Sequence, residues 1–221
     1  MTTEHHIVVS RTARYFTIGE ATAETTDVWI VCHGYGQLAS AFIAPFEKIA
    51  APHRLIVAPE GLSRFYLDPR RSTADPNPKV GATWMTREDR ENEIRDHVAY
   101  LDTLVAHVRQ MVPSSGVRFR ALGFSQGVAT VVRWIARGDV RVDELIVWAG
   151  SLPPDVELAN LQARIEGARV TFVAGKKDHL AAWASADTQV ERFKTIGVAA
   201  TLLTFDGGHR LDDDTLVTLS S

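Results

Sequence analysis

Short apolar runs alternate along this chain with longer segments in which apolar residues recur every three or four positions. Runs with strand character fall at 6–10, 13–18, 27–33, 54–58, 117–123, 143–149, 169–174 and 200–205. Helical periodicity falls at 38–50, 87–112, 126–137, 156–166 and 181–196, with a short segment at 211–219. From residue 27 onward the order is strand, helix, strand, helix. That order predicts an α/β fold with a mostly parallel, doubly wound sheet covered by helices on both faces. The runs 6–10 and 13–18 are joined by a short connection and predict an antiparallel N-terminal edge. The clearest helix is 87–112, where Ile94, Val98, Leu101, Val105 and Val108 share one face. Thr86 followed by Asp89 reads as a capping-box-like start. The charges crowding its first turns (Glu88, Arg90, Glu91, Glu93, Arg95) read as a solvated face, and His97 and His107 as surface residues.

One segment breaks the rhythm. Residues 59–83 carry Pro59, Pro69, Pro76 and Pro78 and no periodicity. A connection of this length in a compact domain is commonly functional. It reads either as a wall or lid of a substrate site, with Phe65, Tyr66, Leu67, Trp84 and the adjoining Met85 as apolar lining, or as a surface excursion whose aromatics tuck against the core.

Bulk properties narrow the classes. The chain has 221 residues, 45% apolar and 23% charged, and a formal net charge of −3. That suits a single domain over 1–221 with a large core, and supplies no electrostatic reason to bind nucleic acid. No apolar stretch reaches the length of a membrane span. The N-terminal Met1-Thr2-Thr3-Glu4-His5-His6 has no basic segment leading into an apolar one, which reads against a secretory signal. The single cysteine, Cys32, precludes an intrachain disulfide and fits a reducing, cytoplasmic compartment. It lies in the apolar run Val28-Trp29-Ile30-Val31 and is expected to be a buried strand residue. The expected partner is a small molecule, and homodimerisation is left open.

The chemistry centres on Gly123-Phe124-Ser125-Gln126-Gly127. An apolar strand precedes this Gly-x-Ser-x-Gly and a helical stripe (Val128, Val131, Val132, Ile135) follows it. That context predicts a nucleophile elbow, a strained turn that exposes the serine hydroxyl. A serine hydroxyl is a weak nucleophile near neutral pH, so it needs a base, and the base needs an orienting acid. Where such an elbow is used, the acid and then the histidine follow the serine at later strand ends. Val170-Thr171-Phe172-Val173-Ala174 ends in Gly175-Lys176-Lys177-Asp178. Leu202-Leu203-Thr204-Phe205 is followed by Asp206-Gly207-Gly208-His209. The predicted triad is therefore Ser125, His209 and Asp178. His179 and Asp206 are the rivals: His179 adjoins Asp178 too closely to be oriented by it, and Asp206 reads as a turn former ahead of two glycines. Neither His-Glu-x-x-His nor a Cys/His cluster occurs, so no metal site is indicated.

A tetrahedral intermediate needs donors for its oxyanion. The backbone N–H of Gln126 is one candidate. His33-Gly34-Tyr35-Gly36, at the end of the strand 27–33, supplies the other as the Tyr35 N–H, with His33 expected to brace the loop.

Taken together, these residues resemble the α/β-hydrolase superfamily and, within it, the phospholipase/carboxylesterase branch that includes acyl-protein thioesterases. The matching pieces are His33-Gly34-Tyr35-Gly36, Ala58-Pro59-Glu60-Gly61, Gly81-Ala82-Thr83-Trp84-Met85, Gly123-Phe124-Ser125-Gln126-Gly127, Gly175-Lys176-Lys177-Asp178 and Gly207-Gly208-His209. They span nearly the whole chain. The branch usually has a small or β-branched pair and a proline after the acid; here His179-Leu180-Ala181 follows. The resemblance implies an α/β-hydrolase fold without a large cap domain. It also implies a serine carboxylesterase or lysophospholipase-like hydrolase of esters or thioesters that uses no cofactor. A non-catalytic binding module on the same fold, or acyl transfer from the same serine, are the alternatives.

Overall fold

The computed structural model describes residues 1–68, 76–112, 116–180 and 183–221. Pro69 in the irregular segment and Ala181 at the head of the expected helix 181–196 lie outside them. Seven strands form the main sheet in the order β1-β3-β2-β6-β7-β8-β9. These are β1 (Tyr15–Ile18), β2 (Asp27–Cys32), β3 (Arg54–Pro59), β6 (Arg118–Phe124), β7 (Glu144–Trp148), β8 (Arg169–Gly175) and β9 (Ala200–Phe205). All neighbours pair in parallel except β1, which runs antiparallel to β3. Strands β2 and β3 are buried at every position. This is the near-continuous apolar run expected of strands covered on both faces.

Helices supply those covers. On one face α2 (Arg90–Met111), α3 (Gln126–Arg137), α4 (Leu158–Arg164) and α5 (Trp183–Thr195) enclose a core containing Val28, Leu101, Val131, Trp134 and Phe172. On the other, α1 (Ala39–Phe42), a 3-10 helix at Ala44–Ile49 and α6 (Asp213–Leu219) enclose Trp29, Phe46, Trp148 and Leu216.

Five expectations need correction. The antiparallel edge exists, but 6–10 is not its strand: β1 pairs with β3, and Ile7, Val8 and Val9 stay 72% to 97% exposed. Three consecutive apolar residues lack the alternation that would bury one face, and a lone hairpin arm is marginal in water. The expected helix 38–50 breaks at Ile43 and resumes as a 3-10 helix because Pro45 has no N–H to continue it. The expected capping box of α2 does not form. Asp89 is the N-cap, in a left-handed conformation (φ 47°) with no capping hydrogen bond from its side chain, while the Thr86 hydroxyl donates to Glu93. The irregular segment contains a hairpin, β4 (Ser63–Tyr66) paired antiparallel with β5 (Val80–Thr83).

His97 is the fifth correction. It is 1% exposed, and neither ring nitrogen has a hydrogen-bond partner. It sits on the apolar face of α2, edge-on to Trp84 at 6.4 Å between centroids. Burial, reinforced by the charge of Arg133, pushes its pKa from 6.5 down to about 4. The unfolded chain therefore takes up this proton first as pH falls. This titration makes no contribution above pH 6.5, where both states are neutral, and destabilises the fold as pH drops toward 4, by roughly 3 kcal/mol in all. His97→Leu is expected to flatten the stability profile in that window; urea midpoints measured every half pH unit, if unchanged in slope, would refute this.

At the N-terminal ends of the strands lies a buried ladder of charge. Arg54 Nε donates to Asp27 Oδ2 (2.8 Å) and Arg120 Nε to Asp27 Oδ1 (2.9 Å). Arg120 Nη1 also donates to Glu144 Oε2 (2.9 Å) and to the Leu219 carbonyl (2.8 Å), and Arg169 closes on Glu144. The ladder crosses β3, β2, β6, β7 and β8. Burial alone would raise the Asp27 carboxyl; hydrogen bonds from Trp29 and Arg54 outweigh it and hold the group below its ordinary range.

Candidate active site

The candidate residues lie at the opposite, C-terminal ends of the strands. Ser125 lies between β6 and α3 with φ 54° and ψ −117°, a conformation that costs an L-residue of order 1–3 kcal/mol and persists only when its surroundings impose it. The surroundings are visible. Ser125 N–H donates to the Trp148 carbonyl at 2.9 Å, and its own carbonyl accepts from Val128 N–H at 3.0 Å. A side chain at Gly123 would come within 2.4 Å of the Gly127 carbonyl oxygen, and one at Gly127 within 2.1 Å of the Cys32 carbonyl oxygen. Both glycines are therefore required by the closeness of β6, α3 and β2.

Asp178 and His209 meet. Nδ1 of His209 lies 2.8 Å from Oδ2 of Asp178. The carboxylate is fully buried while the imidazole keeps 21% of its surface. Oδ1 of Asp178 accepts from Leu180 N–H at 2.8 Å, which fixes the rotation of the group. The loops bearing the two residues are stitched together: Lys176 N–H donates to the Phe205 carbonyl (3.0 Å) and Lys177 N–H to the Gly207 carbonyl (2.9 Å). The His209 ring stacks, tilted, 5.0 Å from that of Phe124, the residue before the serine. Asp206 faces away, exposed and paired with Lys177 Nζ at 2.9 Å. That pairing holds its carboxyl below the ordinary range. His179 is exposed.

The loop His33-Gly34-Tyr35-Gly36 packs against the elbow, so that a Cβ on Gly34 would lie 3.1 Å from that of Ser125. Its backbone is pinned on both sides of Tyr35. Gly34 N–H donates to Gln37 Oε1 (2.8 Å) and Gly36 N–H to the Ala82 carbonyl (2.9 Å). Gln126 is the first residue of α3, where an amide has no intrahelical acceptor. His33 is fully buried. Its Nδ1 contacts the Gly34 carbonyl (2.8 Å) and so carries the proton, while Nε2 accepts from Gly61 N–H (3.0 Å). Burial lowers its pKa, which favours this neutral tautomer.

The expected lining divides. Phe65 is half-buried and its ring lies 5.2 Å from that of Tyr35, while Tyr66 is half exposed. Trp84 must be corrected: it is a core residue, 3% exposed, whose indole N–H donates to the His33 carbonyl at 2.8 Å. Met85 is half-buried. Two cavities among the described residues, of about 530 and 730 Å³, lie elsewhere; their linings do not include Ser125, Asp178 or His209. A set of possible metal ligands among the described residues, Glu4, His6 and Asp89, is exposed and shares nothing with this site.

Sequence reasoning missed three supporting groups. Glu60 is 1% exposed and accepts from Arg14, from Arg64 and from the Ala39 N–H that starts α1. Burial would raise its carboxyl, but the arginines win and hold it low. The Gln126 side chain clasps the end of the hairpin: its Nε2 lies 2.9 Å from the Met85 carbonyl and from Thr83 Oγ1. Asp155 collects three arginines. Only Glu60 carried a signal, as a charge within a Pro-Glu-Gly turn after an apolar strand.

The profile of the phospholipase/carboxylesterase family matches residues 13–221. Among curated protein sequences none matches. The fold is similar to the solved structures of esterase PE8 (18% identity, TM-score 0.68, 95% of this chain and 97% of that one). It is also similar to acyl-protein thioesterase 2 from Zea mays (14%, 0.67, 95% and 96%) and a Bacillus cereus carboxylesterase (13%, 0.68, 94% and 92%). At these identities the likeness is one of fold. Among the described residues no helix is long and apolar enough to cross a membrane.

Proposed function

The chain belongs to the phospholipase/carboxylesterase family, and from that premise we propose that it is a serine hydrolase of carboxylic esters or thioesters, working through an acyl-enzyme on Ser125. The observation that carries the reading is the 2.8 Å contact of His209 Nδ1 with a fully buried Asp178 carboxylate, at the same sheet edge as a serine on a strained elbow. With Nδ1 donating to Asp178, Nε2 is the nitrogen left to accept a proton.

Ser125 Oγ attacks the carbonyl carbon of the substrate as His209 Nε2 takes the hydroxyl proton. Asp178 keeps the imidazole in the competent tautomer and stabilises the imidazolium. The oxyanion is received by the Tyr35 and Gln126 N–H groups, each of which is worth about 3 kcal/mol in sites of this type. His209 then protonates the leaving alcohol or thiol, and water attacks the acyl-enzyme with His209 again as base. Phe65, Tyr66 and Met85 are the walls offered to the acyl or leaving group.

A fluorophosphonate is expected to label the wild type stoichiometrically and to leave Ser125→Ala unlabelled, as read by intact mass. A folded wild type that takes up no label would remove the reading in favour of a non-catalytic module. Product analysis with added alcohols separates hydrolysis from acyl transfer, since both proceed through the same acyl-serine.

A further inference from the structure

Two chain segments flank Ser125. One is the end of the β4–β5 hairpin, residues 83–86, whose Met85 carbonyl is held by the Gln126 amide (2.9 Å) and by the Thr83 hydroxyl (3.0 Å). The other is the loop 149–157 that leaves β7. It begins beside the serine: Ser125 N–H donates to the Trp148 carbonyl, and a Cβ on Gly150 would lie 2.7 Å from the Ser125 carbonyl oxygen. Ala149, at the start of this loop, is held at φ 50°. Residues 84–86 and 150–157 are irregular, so side-chain ties help to set their position.

A single side chain on α3 grips both. Arg133 lies two helical turns beyond the serine and is only 7% exposed. Its Nε and Nη2 form a two-pronged contact with Asp155 of the loop 149–157 (3.0 and 2.7 Å), and its Nη1 contacts Met85 Sδ at 3.3 Å. Asp155 is further gripped by Arg90 Nη2 (2.6 Å) from the first residue of α2 and by Arg137 Nη2 (2.7 Å) from the last of α3. Arg90 and Arg137 are about a third exposed, where an ion pair adds little to stability. The planar fork of Arg133 fixes direction as well as distance.

We propose that the Arg133–Asp155 clamp is a positioning device that sets the spacing between the Met85 wall and the 149–157 wall, and thereby which acyl chains reach Ser125. The proposal rests on the hydrolase reading above. Hydrogen bonding from Arg133 holds the Asp155 carboxyl far below its ordinary range, so the clamp stays ionised through and above the ordinary carboxylate range. Loosening it should act on substrates long enough to touch both walls and spare the smallest ones.

The test is steady-state kinetics on p-nitrophenyl acetate, butyrate and octanoate for wild type, Asp155→Asn and Arg133→Lys, alongside fluorophosphonate labelling. The octanoate-to-acetate ratio of kcat/KM is expected to shift about fivefold or more in Asp155→Asn, chiefly through the KM of the longer ester, because selectivity in apolar pockets turns on such contacts. Arg133→Lys keeps the charge but loses the fork, and is expected to move the ratio the same way. Asp155→Glu keeps the charge but displaces the fork, and serves if either variant fails to fold. A ratio unchanged in all folded variants, or an equal fall across the series, overturns the clamp. A wild type that does not label overturns the hydrolase reading and the clamp's role with it, whereas labelling with an unmoved ratio overturns the clamp alone.

Discussion

Asp178→Asn is expected to lower ester turnover by about 10⁴-fold with the fold intact, the size of effect seen when a triad loses its orienting carboxylate. The geometry says why an amide cannot substitute. Oδ1 accepts from Leu180 N–H, so the oxygen of an asparagine is retained there and its NH₂ group is turned toward His209 Nδ1. A donor facing Nδ1 forces the ring proton onto Nε2. That nitrogen then cannot accept the proton of Ser125. Because Asp178 is fully buried and the loops around it are joined through backbone hydrogen bonds, little else should change. The control is Asp206→Asn, which removes only an exposed pair with Lys177 and is expected to alter turnover by less than about twofold, as surface pairs of this kind carry little energy. Steady-state p-nitrophenyl acetate hydrolysis with thermal melts on both variants decides the matter. A loss under about tenfold in Asp178→Asn would remove it as the orienting acid.

Arg120→Leu is expected to cost about 3–5 kcal/mol of folding stability, the range found when one partner of a buried ion pair is removed. Arg120 is 1% exposed and contacts Asp27, Glu144 and the Leu219 carbonyl at once, with its guanidinium 4.9 Å over the Trp29 ring. Leucine would leave Glu144 buried with Arg169, itself half exposed, as its remaining arginine, and would unfasten the end of α6. In a chain of this length that corresponds to a fall of about 10 °C in melting temperature. The site lies at the other end of the strands, so turnover per folded molecule should hold. Urea denaturation followed by circular dichroism measures the first quantity and active-site titration the second. A loss below about 1 kcal/mol would mean that the ladder contributes little to stability.

The two variants divide the molecule as its sheet does, with the proposed catalytic residues at the carboxyl ends of the strands and a charge ladder at the amino ends. The first half was visible in the residues. Ser125, Asp178 and His209 each follow an apolar strand, and in parallel strands a shared position after the strand means a shared edge in space. The ladder was hidden. Asp27, Arg54, Arg120 and Glu144 look like ordinary charges at strand starts until the register aligns Asp27 with Arg54 and Arg120 with Glu144. His97 was misread although its signal was present, since it falls three residues after Ile94 and four before Leu101, on the apolar face of α2. The β4–β5 hairpin was unreadable because Ser63, Arg64 and Gly81 carry no apolar alternation, and its pairing joins segments far apart in sequence.

What the sequence by itself determined is the order of the sheet strands from residue 27 onward and the succession of serine, acid and histidine at strand ends. Apolar periodicity and the Gly-x-Ser-x-Gly pattern are local properties of the sequence, legible before any tertiary contact forms. What only the tertiary structure decided is which charges are buried, which aromatics line the site, and what holds its walls. Trp84 became core, and Glu60, Arg120, Arg133 and Asp155 became anchors. Whether a charge or an aromatic ring is exposed is set by the groups that surround it, and those come from distant segments brought together when the sheet closes.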